Sequence, residues 1–249
     1  MAEIYNIDFI KQDVFEKHVA KTIASYNETL KSINLSKFNS NLIDPIKLTF
    51  DKALFKKSIE EIIELEIHRQ RDKSNTNAIG YFHQYMFKYI PNCEVPIHGF
   101  DIIVSQKDGT KIYVEMKNKH NTMNSSSAQK TYIGMQNQIL KNPNYMCFLV
   151  ETIAKRSQNI EWKCSVNNQS VSHEKIRRVS IDKFYEIVTG ISNAFYQICK
   201  QLPITIEKLI KADVVETVEK DTVFEELKAK NPDLLKAIYL LAFETYNGF

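Results

Sequence analysis

An Asp-Gly pair set between two alternating stretches constrains this chain more than any other feature of it. Residues 95 to about 105 read as a strand, with Asp101, Ile103 and Ser105 on one side. Lys107-Asp-Gly-Thr110 then reads as a hairpin turn, because Asp-Gly supplies the positive φ angles that a tight reversal needs. The nine residues Lys111–Lys119 form the return strand. Ile112, Val114 and Met116 point one way, and Tyr113, Glu115 and Lys117 the other. A hairpin with one apolar face must bury that face, so the rest of the chain has to supply cover.

The cover is legible. Apolar runs at residues 145–152 and 160–166, and a shorter one at 178–181, read as further strands. Residues 52–71 carry apolar side chains at helical spacing. Residues 72–77 form a polar break in which Asn75 or Thr76 caps a second helix, closed by Pro91. Gln129 to about Leu140 and residues 182–202 read as helices, as do much of the first fifty residues and the C-terminal third. The expected class is α/β: a mixed β-sheet flanked by helices, with extra helices at both ends. The 249 residues suit a single domain, with a core at roughly 75–202 and helical additions at 1–74 and 203–249.

Three charged residues interrupt the hairpin's pattern. Asp101 lies on one strand, and Glu115 and Lys117 stand two apart on the other, sharing a face. Adjacent strands lie ~5 Å apart, so a carboxylate from each can converge on one ion. Two carboxylates and several waters suit Mg²⁺, a hard cation that keeps much of its hydration. A lysine beside such a site offsets charge on a phosphate and orients an attacking water. The plain alternative is an edge strand carrying an exposed Glu–Lys pair.

The charge is unevenly distributed, which fits either a polyanion partner or a solvated lysine-rich face. The whole chain carries only +3, but residues 116–178 hold ten Lys or Arg against three acids, a net of +7. Residues 182–249 carry −3. A focused basic segment is the footprint of phosphate contact. The four cysteines (Cys93, Cys147, Cys164, Cys199) show no Cys-x-x-Cys spacing and read as reduced core residues. No stretch is long enough to span a membrane, and the N-terminus shows no basic leader followed by an apolar run. A cytoplasmic protein is expected.

Gly99-Phe-Asp101 with Val114-Glu-Met-Lys117 resembles the PD-(D/E)xK nuclease signature, with Phe100 where the nominal motif has Pro. The stretch from Glu115 to Ser127 is similar to type II restriction endonucleases that cut GGNCC- or GGWCC-type sites. So are the stretches at 69–84 and 179–190. The resemblance covers roughly residues 60 to 200. It implies a PD-(D/E)xK restriction-endonuclease-like core and Mg²⁺-dependent hydrolysis of double-stranded DNA. Asp101 and Glu115, with the Met116 carbonyl, would hold the metal, and Lys117 would position or activate water. A homodimer with one active site per strand and a cognate methyltransferase are implied as well. Two rivals stand beside this reading: a structure-specific or repair nuclease of the same superfamily, and a non-catalytic DNA-binding protein on the same fold.

The loop after the motif is dense in donors and acceptors. Lys119, His120, Asn121, Thr122, Asn124, Ser125 and Ser126, with Lys130 beyond, are the candidate DNA-binding residues. Weaker candidates are the polar break at 72–77, Glu64 or Glu66 as an added acid, and Arg177 or Arg178 on phosphates. His83 reads as a buried core residue, and the aromatic helix around Phe184 as core.

Overall fold

A computed structural model describes residues 5–120, 122–212 and 219–245. In chain order the first elements are α1 (Gln12–Leu30), α2 (Leu35–Phe38), α3 (Pro45–Phe55), α4 (Ile59–Met86), β1 (Cys93–Glu94), β2 (Ile102–Ser105) and β3 (Lys111–Lys119). Then come α5 (Ser125–Ile139), β4 (Tyr145–Ile153), β5 (Asn159–Glu161), β6 (Cys164–Val166), β7 (Gln169–Val171) and β8 (Ile176–Ser180). Four helices follow: α6 (Ile181–Thr189), α7 (Ala194–Ala212), α8 (Val223–Lys230) and α9 (Leu234–Phe243). The described residues fall into two compact units, one of residues 5–22 and 79–212, the other of 23–78 and 219–245.

The first unit is a mixed α/β structure, as expected. Its six-stranded sheet has the order β1-β2-β3-β4-β8-β5. β1, β2 and β3 pair antiparallel, β3–β4 and β4–β8 parallel, and β5 closes antiparallel on β8. A parallel pair needs a crossover, and α5 provides it between β3 and β4. Tyr132, Met135 and Ile139 of α5 pack with Cys147, Leu149, Trp162 and Ile176 in one buried cluster. Alternation sends Phe148 and Val150 to the opposite face, where both are buried. Among the described residues, no helix is long and apolar enough to cross a membrane.

The second unit is helical. Phe38, Leu48, Ile62, Ile63, Ile67, Leu227, Leu234 and Ile238 are part of its core. Its helix ends are capped by side chains: Asp44 accepts from the Ile46 and Lys47 amides, and Asp233 from those of Leu235 and Lys236. The Arg71 fork bonds both carboxylate oxygens of Asp221, at 3.1 and 2.7 Å.

Several boundaries differ from expectation. Residues 95–100 are not strand, because Pro96 lacks a donor and Gly99 takes φ +95°. The polar break at 72–77 does not end a helix; α4 runs through it. No Pro or Gly lies in that stretch, and buried residues such as Ile67 and Phe82 anchor the helix before and after it. Five weak helix formers cost only about 0.5 kcal/mol each, which such anchors outweigh. Residues 160–166 divide between β5, which pairs with β8, and β6, which pairs with β7. Between them Trp162 turns into the α5 cluster, edge-on to Tyr132 at 5.3 Å. The helix expected at 182–202 is two helices, because Gly190 at φ +74° ends α6 with its amide on the Glu186 carbonyl at 2.8 Å. All four cysteines are free thiols, but only Cys147 and Cys164 are buried; Cys199 is exposed.

The hairpin turn is where the sequence puts it, though only Gly109 takes a positive φ, at +87°. Asp108 instead accepts the Thr110 amide at 2.9 Å. A Cβ at Gly109 would meet nothing within 4 Å, so a substitution there is purely torsional. Gly109→Ala should lower stability by about 1 kcal/mol, read as a shift of the denaturant midpoint at unchanged slope.

Candidate active site

Asp101 stands just ahead of β2, and a backbone irregularity sets its direction. Its amide donates to the Val114 carbonyl at 2.9 Å, yet Val114 is already the ladder partner of Ile102. Two residues of one strand end therefore meet a single residue of β3, the arrangement of a β-bulge, which re-aims a side chain. The Asp101 Oδ2 accepts the Met116 amide at 2.7 Å. From α4, Gln84 Nε2 donates to the Asp101 carbonyl at 3.2 Å. One residue further along β3 from Met116, Lys117 Nζ lies 2.7 Å from Glu115 Oε1. These two side chains are 28% and 26% exposed, enough for a substrate to reach them.

Burial raises the Asp101 carboxyl above its ordinary range, and the Glu115 charge adds to this. The Met116 amide and Lys117 oppose it without cancelling it. Two carboxylates thus share a half-buried position at an electrostatic cost. A divalent cation between them would relieve that cost, and their hard oxygens suit Mg²⁺. Among the described residues, no group of three or more His, Cys, Asp or Glu side chains is placed to hold a metal. Water, substrate oxygens or a backbone carbonyl would have to complete the shell.

The raised carboxyl gives a signed expectation. A group whose folded pKa lies above its unfolded one is penalised in folding above that pKa, and the penalty vanishes as pH falls below the unfolded value. Metal-free Asp101→Asn should therefore melt above the wild type at pH 7, with the gap closing toward pH 4. Added Mg²⁺ should raise the wild-type melting temperature alone.

The same face of the sheet continues the charged row. In the β3–β4 register Glu115 stands beside Leu149 and Lys117 beside Glu151, and in β4–β8 Leu149 stands beside Arg178. Glu151 is 1% exposed. Its carboxylate pairs with Arg178 Nη2 and lies 3.1 Å from His120 Nδ1. Arg178 Nη2 is also 2.8 Å from that nitrogen, which can either donate to Glu151 or accept from Arg178. Burial pushes the Glu151 carboxyl up, but hydrogen bonds from Arg178 and His120 and their charge hold it below the usual carboxylate range. Sequence reasoning missed Glu151. Its signal was an acid closing the apolar run Phe148-Leu-Val150.

Lys117, Lys119, Thr122, Glu151, Trp162 and Arg178 are among the residues lining a cavity of about 90 Å³. Of the described candidate DNA-binding residues, only Lys119 and Thr122 line it. His120 is turned to Glu151, and Asn121 lies outside the described residues. Asn124 is not free loop; its side chain caps α5 by accepting the Ser127 amide at 2.8 Å. Ser125 and Ser126 are exposed in the first turn of α5, and Lys130 is exposed further along it. His83 packs between Phe82 and Phe195, where burial lowers its pKa to about 4. Glu64 is exposed, and Glu66 is buried and paired with Arg69 at 2.5 Å.

Comparison with known proteins places the chain among relatives. The chain is 29% identical over 248 residues to the type II restriction enzyme Sau96I of Staphylococcus aureus, covering 95% of this chain and 94% of that one. It is 25% identical over 209 residues to the type II restriction enzyme Eco47II of Escherichia coli, covering 80% and 85%. A family model described as Eco47II restriction endonuclease matches residues 7–211, a span that holds the hairpin, the carboxylate pair and the buried Glu151 cluster, and the chain belongs to that family.

Proposed function

We propose that this protein is a cytoplasmic type II restriction endonuclease that hydrolyses phosphodiester bonds of double-stranded DNA with Mg²⁺. The observation that carries the reading is the convergence of Asp101, Glu115 and Lys117 at the bulged end of the β2–β3 hairpin. We read the sheet unit as a PD-(D/E)xK-like core and the whole chain as one nuclease domain, with its core at roughly 75–202 and the remaining helices as additions. Asp101 and Glu115 would hold the metal, with the Met116 carbonyl as a further oxygen. When bound, the ion supplies a Lewis acid for the scissile phosphate and charge for the leaving oxygen. Lys117 orients the attacking water and offsets phosphate charge. Asp101, fixed by the Met116 amide, keeps its carboxylate in place without rearrangement.

Lys119, His120, Asn121, Thr122, Asn124, Ser125, Ser126 and Lys130 belong to the segment proposed to contact DNA. The resemblance to enzymes of GGNCC- or GGWCC-type sites extends the proposal to a site of that kind. It also extends it to a homodimer that cuts both strands and a methyltransferase that protects host DNA. Incubation with phage DNA and Mg²⁺, followed by sequencing of the ends, tests the reading. Discrete fragments with one common end sequence are expected. Cutting only at junctions or flaps would favour a structure-specific nuclease, and no cutting with any divalent metal would favour a non-catalytic DNA-binding protein.

A further inference from the structure

Glu151 is an expensive residue to place where it is. It stands at 1% exposure on β4, the strand between β3 and β8. A buried ion pair rarely stabilises a fold more than apolar side chains of the same volume would. The geometry nonetheless does something with it. Glu151 and His120 both engage Nη2 of Arg178, which anchors the guanidinium in the wall of a cavity that Lys117 also lines. Both of its hydrogen bonds use Nη2, and the side chain is 20% exposed, so the rest of the fork has donors to spare among the described residues. A guanidinium held by one carboxylate with donors unspent is ready to take a second oxyanion.

The cavity beside it has the size and charge for one. Its walls bring together Lys117, Lys119 and Arg178 against the single carboxylate of Glu151. Its volume of about 90 Å³ exceeds the roughly 10–15 Å³ that one water needs, so it has room for the two non-bridging oxygens of one phosphodiester. Lys117 lines it and also bonds Glu115, so whatever fills it lies near the carboxylate pair.

We propose that this cavity is a phosphate subsite, in which Arg178 and Lys119 grip a backbone phosphodiester of DNA at the cleavage site and Glu151 is the positioning residue that aims Arg178. The proposal rests on the nuclease reading and names how that site holds its substrate. It separates two roles on one face of the sheet. Asp101 and Glu115 serve the metal, while Arg178 and Lys119 bind the strand by charge and need no metal to do so.

The test is equilibrium binding of the full chain, without divalent metal, to a 30-base-pair duplex carrying the end sequence found by cleavage, across a series of KCl concentrations. Two variants are compared with the wild type. Glu151→Gln/Arg178→Gln removes both charges and leaves polar side chains in their place. Lys119→Ala alters an exposed residue and leaves the fold untouched. Each lost phosphate contact should reduce the slope of log K against log salt by about 0.9, and affinity should fall about tenfold at low salt. Asp101→Asn, which removes no phosphate contact, should keep the wild-type slope. The proposal is overturned by variants that match the wild-type slope and affinity while the wild type binds and cuts. Should the double variant not fold, Lys119→Ala alone decides. A wild type that neither binds nor cuts any duplex would overturn the nuclease reading itself.

Discussion

Asp101→Asn is expected to lower the rate of DNA cleavage about a thousandfold, ~4 kcal/mol of barrier, while leaving the protein folded and able to bind DNA. The substitution is chosen for what it preserves. An asparagine Oδ1 can still accept the Met116 amide, so the bulge that aims residue 101 keeps its partner. Only the charge goes, and with it half of the carboxylate pair proposed to hold the metal. Single-turnover cleavage separates this from a binding defect, since a lost metal oxygen slows the chemical step and not duplex association. A variant that cuts within tenfold of the wild-type rate would remove Asp101 from the active site. Glu115→Gln should behave alike. Lys117→Met should cost less, because water retains a second source of orientation in the phosphate itself.

The hairpin proposed to carry this chemistry is legible because its signals are local. Nine alternating residues follow an Asp-Gly turn, and β3 occupies that stretch from Lys111 to Lys119. The direction of Asp101 was not legible. It depends on a shared partner, Val114, and a two-for-one meeting of strands leaves no mark in side-chain alternation. Glu151 escaped for a related reason. A buried acid is recognised by its counter-charges, and these sit 31 residues back at His120 and 27 ahead at Arg178. Parallel pairing of β3, β4 and β8 brings them together, and no spacing rule anticipates a register between strands so far apart. The loop after Lys119 is more constrained than its polar composition suggests. Asn124 caps a helix, so the donors from Ser125 onward are presented from an α5 end whose position is fixed.

The largest effect on stability should come from the same buried carboxylate. Glu151→Ala leaves Arg178 charged against Lys117 and Lys119 with its partner gone, and removing one member of a buried pair costs about 3–5 kcal/mol. For a chain of this size that is a fall in melting temperature of roughly 10 °C. The double variant Glu151→Leu/Arg178→Met should recover most of it, because neither charge then has to be desolvated. The pH dependence distinguishes electrostatics from packing. The Glu151 carboxyl is held below its ordinary range, so its contribution is complete above the unfolded value and drains away as pH falls through the folded one. Wild type and Glu151→Ala should therefore approach each other in stability below about pH 4, whereas a packing defect would keep a constant gap. If the double variant is as stable as the wild type but binds DNA with a shallower salt dependence, the ion pair is retained for the substrate and not for the fold. A stability that stays low after both charges are removed would instead make Glu151 a structural residue of β4.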